Sequence, residues 1–308
     1  MNTLPEKGLF QAYELMKNGN PSAAVAILED VLSQDLENEE IVFALKTANY
    51  WRNPLESIMK LDSPYERGES LIHQWKAFSV YVGDRQDERA VYALKHGIFT
   101  LALSDYQLVV SDGTNAQKAE LKRKMGLCCK KLGDYDKARI LLEEAYGLKN
   151  DSAAIIAELA DCYALCGEGK NAKAFFREAF YINAQEIETE FLDAEIVTRL
   201  IQQVQEAGYT GKVLKEWIPV YGVLYGVFSV SRELRALEAG KLKQNVFALE
   251  NEIKEAGSEV SLLTPRLINH YFWLIDYYVN TNEERARINE VLLKIKLLDL
   301  SVYDRYTA

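Results

Sequence analysis

The chain is poor in residues that interrupt helices. Its 308 residues include only 6 prolines and 17 glycines, scattered along the whole length. Long uninterrupted helices are therefore the expectation. Histidine is scarcer still: His73, His96 and His270 are the only three, and they stand too far apart in sequence to form a zinc-binding or catalytic pair by spacing alone. The four cysteines, Cys128, Cys129, Cys162 and Cys166, make no CxxC pair and have no histidine beside them. Cys162 and Cys166 are four residues apart on one helix face, a spacing open to a metal or a redox pair. Their apolar surroundings favour small buried side chains, and reduced thiols fit a cytosolic setting.

Long hydrophobic runs are missing too. The longest, residues 218–230, spans 13 positions and is followed by Arg232 and Glu233. A membrane-crossing helix needs about 20 apolar residues, so this run reads as a buried helix and no integral membrane segment is expected. Residues 1–7 show no basic region leading into an apolar stretch, so no signal peptide is visible. As written, the sequence favours the cytoplasm; an exported protein whose leader had been removed would look the same.

Nucleotide-binding glycine loops, HExxH and GxSxG patterns are absent. No enzyme activity, cofactor or metal is expected. Acidic residues cluster at positions 29–40 and 186–195, without the loop pattern of a calcium site, and read as solvated helix faces or an acidic docking patch.

What the chain does have is charge of both signs with an acidic excess, 36 Lys and Arg against 46 Asp and Glu, for a net charge of −10. That average field repels a phosphate backbone, which argues against nucleic acid as a partner. At 48% apolar and 27% charged residues, the composition is that of a soluble folded protein.

It also has a repeat. Residues 121–150 laid on residues 155–184 align without a gap at an offset of 34. Met125 falls on Leu159, Gly126 on Ala160, Cys129 on Tyr163 and Gly133 on Gly167. Ala138 falls on Ala172, Leu142 on Phe176 and Ala145 on Ala179. Two antiparallel helices joined by a tight turn require this chemistry. Small residues sit where backbones approach, and a glycine sits where the first helix closes in a left-handed conformation. A third copy begins near the N-terminus, with Ala12, Leu15, Gly19, Ala24, Leu28 and Val31 at the same offsets.

These positions resemble the tetratricopeptide repeat (TPR) family. The chain departs from it at the closing proline, where Asn150 and Ala184 stand, and at the frequent tryptophan, replaced by Lys122 and Ile156. The resemblance implies an all-α fold, a right-handed superhelical stack of antiparallel helix hairpins. Residues 1–186 form the repeat segment, with clear units at 119–152 and 153–186, an N-terminal copy at 5–38 and divergent units between. Residues 187–308 are read as divergent hairpins that complete and cap the stack, with a soft joint near 185–195.

Within the divergent parts, residues 71–104 read as a helix with Trp75, Phe78 and Tyr81, a polar turn at 83–87, and a second helix with Ala90, Leu94 and Gly97. Residues 39–51 and 54–61 read as a short helix pair broken at Asn53-Pro54. Pro219 is expected to open a helix ending at Gly240, followed by a helix over 243–256. Pro265 is expected to open one over 266–279, with a last helix over 283–298.

The family resemblance further implies that the first helices of successive units line a concave groove for a protein or peptide partner. Mapped onto this sequence, the groove residues are Arg123, Leu127 and Lys130 in one unit and Ala154, Ala157, Glu158 and Asp161 in the next. Tyr13 in the N-terminal copy and Trp75 in the divergent unit complete the set. The family's carboxylate-clamp asparagine is absent, since Tyr13, Ser79, Leu127 and Asp161 hold that position, and this disfavours a chaperone-tail adaptor. Charge reversal at Arg123 or Lys130 is expected to weaken binding without unfolding. The late tyrosines (Tyr221, Tyr225, Tyr271, Tyr277, Tyr278, Tyr303 and Tyr306) are core first and interface second, so a homo-oligomer is also compatible. The leading functional expectation is a non-enzymatic scaffold for a partner segment. The alternative is a small-molecule or peptide-binding TPR accessory or sensor, such as a bacterial solute-uptake accessory protein, with its pocket in the aromatic-rich C-terminal hairpins.

Overall fold

The computed structural model describes residues 4–85, 88–110, 112–230, 232–255 and 257–308; residues 1–3, and 86–87 of the expected polar turn, lie outside it. Among the described residues there are fifteen α-helices and no strand. The fold is all-α and built of tetratricopeptide-like helix hairpins. The chain forms two compact units, Met1–Leu148 and Lys149–Ala308.

The first unit contains α1 (Leu4–Lys17), α2 (Pro21–Gln34), α3 (Glu39–Ile58), α4 (Pro64–Val82), α5 (Arg89–Leu108), α6 (Asn115–Lys131) and α7 (Tyr135–Leu148). The second contains α8 (Ala153–Leu165), α9 (Gly169–Asn183), α10 (Glu195–Glu206), α11 (Gly211–Leu224), α12 (Ala236–Glu252), α13 (Val260–Asn280), α14 (Arg285–Leu298) and α15 (Leu300–Thr307). Two short 3-10 segments, Ala184–Glu186 and Thr189–Phe191, lead from α9 to α10.

One closing device recurs in five hairpins. Gly133 and Gly167 adopt φ of 84° and 81°. Behind them the Asp134 amide donates to the Cys129 carbonyl at 2.9 Å and the Glu168 amide to Tyr163 at 2.8 Å. This is the bond that a left-handed residue after the helix allows, and it satisfies a carbonyl the helix leaves over. Gly19 closes α1 in the same way, through Asn20 to Leu15 at 2.9 Å, and Gly208 closes α10. At the end of α13 the residue is Asn282, with φ 52°, and the Glu283 amide reaches the Tyr278 carbonyl at 2.9 Å. The C-terminal hairpins have lost the repeat's side-chain pattern and kept its turn.

The small residues of the repeat are interior. Ala138, Leu142, Ala145, Ala160, Ala172, Phe176 and Ala179 are fully buried. A Cβ on Gly126 would stand 2.8 Å from Leu142 Cγ, so this glycine is what lets α6 and α7 touch. In the first unit, α1 packs against α5 as well as against α2. The stack is therefore not strictly neighbour to neighbour there.

Three prolines lie inside helices, contrary to their expected roles as breakers or openers. Pro54 sits within α3, Pro219 within α11 and Pro265 within α13. Tertiary burial on both sides of each proline outweighs the one lost hydrogen bond. Around Pro54, for example, Trp51, Leu55 and Ile58 are all buried. Gly240 is likewise not a stop, because α12 runs through it. The real turn is at Gly226, φ 69°. After it the chain doubles back, with the Phe228 amide on the Gly222 carbonyl at 2.8 Å and the Phe228 ring stacked on Phe176 and Phe180. The apolar run at 218–230 is thus helical only as far as Leu224, and its remainder is a turn that delivers an aromatic ring to the core.

Candidate functional site

Of the nine residues expected to line a groove, the structure leaves Ala154 half-exposed and buries the other eight. Tyr13 donates through Oη to Glu40 at 2.9 Å, which joins α1 to α3. Trp75 belongs to an aromatic cluster with Trp51, Phe78 and Phe99. Arg123 is held by Glu120 through two bonds of 2.9 and 2.7 Å. Leu127 and Ala157 are packed away, and Lys130 and Glu158, each 2% exposed, are charged groups in the interior with partners of their own. Asp161 has a specific local task. Its carboxylate accepts the Asp193 amide at 3.1 and 3.0 Å and the Ala194 amide at 2.8 Å, which anchors the segment leading into α10. All eight side chains are thus engaged within the chain itself. At these offsets the chain places packed apolar groups, an interior anchor and buried charge.

A better-defined recess lies within the second unit. The end of α9 supplies Phe180 to Asn183, and the 3-10 segment adds Ala184 and Gln185. Glu216 comes from α11, Asn245, Ala248, Leu249 and Glu252 from α12, and Arg266 and His270 from α13. The cleft has a volume of about 490 Å³, within the range of roughly 300–1,000 Å³ usual for ligand pockets.

Its floor is a fixed polar array. Arg266 grips the buried Glu216 carboxylate with two bonds, Nη2 to Oε1 at 2.6 Å and Nε to Oε2 at 3.2 Å. Gln185 Nε2 adds a bond to Glu216 Oε1 at 2.7 Å and one to the Lys212 carbonyl at 3.0 Å. Pairing with Glu216 holds the Arg266 guanidinium above its ordinary pKa. Asn269 Nδ2 reaches the Phe180 carbonyl at 3.3 Å and ties α13 to α9. His270 Nδ1 lies 2.8 Å from the Arg266 carbonyl, and its ring stands 5.0 Å from that of Tyr181. Burial pushes the His270 pKa below 6.5, so the ring is neutral at physiological pH. On the far side of α12, Glu250 takes bonds from Tyr271 at 2.7 Å and Lys294 at 3.0 Å and so fixes the opposite wall.

None of these lining residues carried a motif. Glu216, Glu252, Arg266 and His270 come from three helices spread over more than fifty positions. The one available signal was the density of aromatic and charged residues in the C-terminal hairpins.

The tetratricopeptide repeat family model matches residues 131–188, a span that runs from the end of α6 through α7, α8 and α9 into the 3-10 segment. Residues 131–188 thus form a tetratricopeptide repeat segment of an all-α chain. Among curated proteins no sequence matches it. The matched TPR segment includes Phe180 to Gln185, so the second repeat itself provides one wall of the cleft. The rest of the cleft is built by α11, α12 and α13, beyond the match. Among the described residues, no group of three or more metal-ligating side chains is gathered, and no helix is long and apolar enough to cross a membrane.

Proposed function

We propose that this TPR protein is a non-catalytic scaffold that binds a segment of a partner protein or peptide. The observation that carries this reading is the tandem of tetratricopeptide hairpins, an architecture that generally serves protein–protein interaction. The C-terminal cleft supports it, because its polar groups are held in place before any partner arrives, which lowers the ordering cost of binding. Ala154, still open on α8, keeps the family groove as a second candidate contact.

The experiment is site-specific photo-cross-linking in cells, with a benzophenone amino acid placed at Ala154, at Asn245 or at Ala248, and at exposed Leu297 as a control. A discrete adduct with one polypeptide from the first three positions and none from Leu297 is expected. Adducts that are equal at all four, or absent from all four, would remove this reading.

A second reading, a small-molecule or peptide sensor or uptake accessory protein, is favoured by the size of the same cleft. A metabolite that raised the melting temperature of the wild type, with no effect on an Ala248→Trp variant, would select it.

A further inference from the structure

The cleft in the second unit has one electrostatic sense, and several independent features share it. Its walls carry two carboxylates, Glu216 and Glu252, against one guanidinium, Arg266. Glu216 is fully engaged by Arg266 and Gln185, whereas Glu252 is exposed at the end of α12. Lys215, on the same helix as Glu216, is engaged elsewhere. Its ammonium donates to the Ile187 carbonyl at 2.6 Å and to that of Gln185 at 3.4 Å.

The second feature is the end of α9. Phe180, Tyr181, Ile182 and Asn183 form the last turn of that helix and line the cleft. The C-terminal end of a helix carries the negative end of its dipole, so a cation is favoured there, although the Phe180 carbonyl already accepts Asn269 Nδ2 and α9 runs on into the 3-10 segment.

The third feature is His270. It is 7% exposed and lines the cleft. With Nδ1 against the Arg266 carbonyl, that nitrogen carries the proton and Nε2 is left as an acceptor. Tyr181, its ring tilted by 50° to that of His270, adds an aromatic face. The lining therefore offers acceptors, an excess of negative charge and a ring surface.

We propose that the cleft receives a basic side chain, lysine or arginine, of a partner polypeptide. The ammonium or guanidinium is placed between Glu252, the α9 carbonyl end and His270 Nε2, with its methylenes along Tyr181, Ala248 and Leu249. The assignment rests on the partner-binding reading above and names the chemistry of the partner. The net charge of −10 favours the approach of a basic segment over long range.

The test is calorimetric titration of the full chain with short capped peptides that carry one arginine or lysine among glycine and serine. Parallel titrations use the same peptide with neutral citrulline and use free agmatine. The basic peptides are expected to bind and the citrulline peptide to fail. Glu252→Gln should weaken binding roughly tenfold, the worth of one partly desolvated charge pair, with an unchanged melting temperature. Citrulline binding as tightly as arginine, or no effect of Glu252→Gln, overturns the charge assignment. Agmatine matching the peptide overturns the assignment to a polypeptide. If no basic peptide binds while cross-links still form at Ala154, this inference fails and the scaffold reading stands. If cross-links fail as well, both fall.

Discussion

Gly97 of α5 lies directly against the carbonyl of Met16 at the end of α1: a Cβ added to it would sit 2.1 Å from that oxygen and 3.0 Å from the Gly19 nitrogen. The contact is backbone on backbone, so no side-chain rotation can relieve it. Gly97→Ala is expected to destabilise the protein by about 2–3 kcal/mol, the upper range for overpacking a tight core. A lower urea midpoint, with amide exchange accelerated first in α1 and α5, is the result to look for.

Gly167 presents the opposite case. It has φ of 81° and nothing within 4 Å of an added Cβ, so Gly167→Ala meets only the conformational penalty, about 1–2 kcal/mol. Asn282 tests the same physics with the reverse sign. Asn282→Gly should leave stability unchanged or raise it by a few tenths of a kcal/mol, while Asn282→Val should lower it. Thermal melts of the three variants rank them directly.

Asp161 accepts three backbone hydrogen bonds in the interior. Asp161→Ala leaves the Asp193 and Ala194 amides without their acceptor, at a cost of about 2 kcal/mol. Faster hydrogen exchange at those two amides would identify the lost anchor as the cause, and their unchanged protection would refute it.

Arg123 and Lys130 are buried, at 4% and 2% exposure. The expectation drawn from the family groove, weakened binding in a folded variant, therefore gives way to a stability effect. Lys130→Glu should cost about 3–5 kcal/mol, as leaving a buried charge uncompensated does. A Lys130→Glu protein that melts like the wild type would restore the groove placement.

Acid should act in two steps. Burial lowers the pKa of His270 from 6.5. The unfolded chain then binds more protons than the folded one as pH falls below 6.5, and stability declines from there. Glu238 is shifted down from 4.5, first by its bond to Arg232. Its contribution is present above pH 4.5 and is lost as pH falls through the lower folded value. His270→Gln should flatten the first decline and Glu238→Gln the second, read from denaturation midpoints between pH 7 and 3.

By itself the sequence determined the hairpins, because their rules are local. Gly133 and Gly167 are 34 residues apart since a left-handed residue must follow each first helix, and Ala138 and Ala172 are small since two backbones approach there. Those requirements act within about twenty residues and can be read one position at a time. The tertiary structure decided what distant parts of the chain impose. Pro54, Pro219 and Pro265 stay inside helices because burial around them outweighs a missing hydrogen bond. Arg123, Lys130 and Asp161 face the interior although their repeat offsets are those of ligand contacts. Glu216, Glu252, Arg266 and His270 share one cleft only because α11, α12 and α13 fold around the end of α9, and no spacing along the chain encodes that meeting.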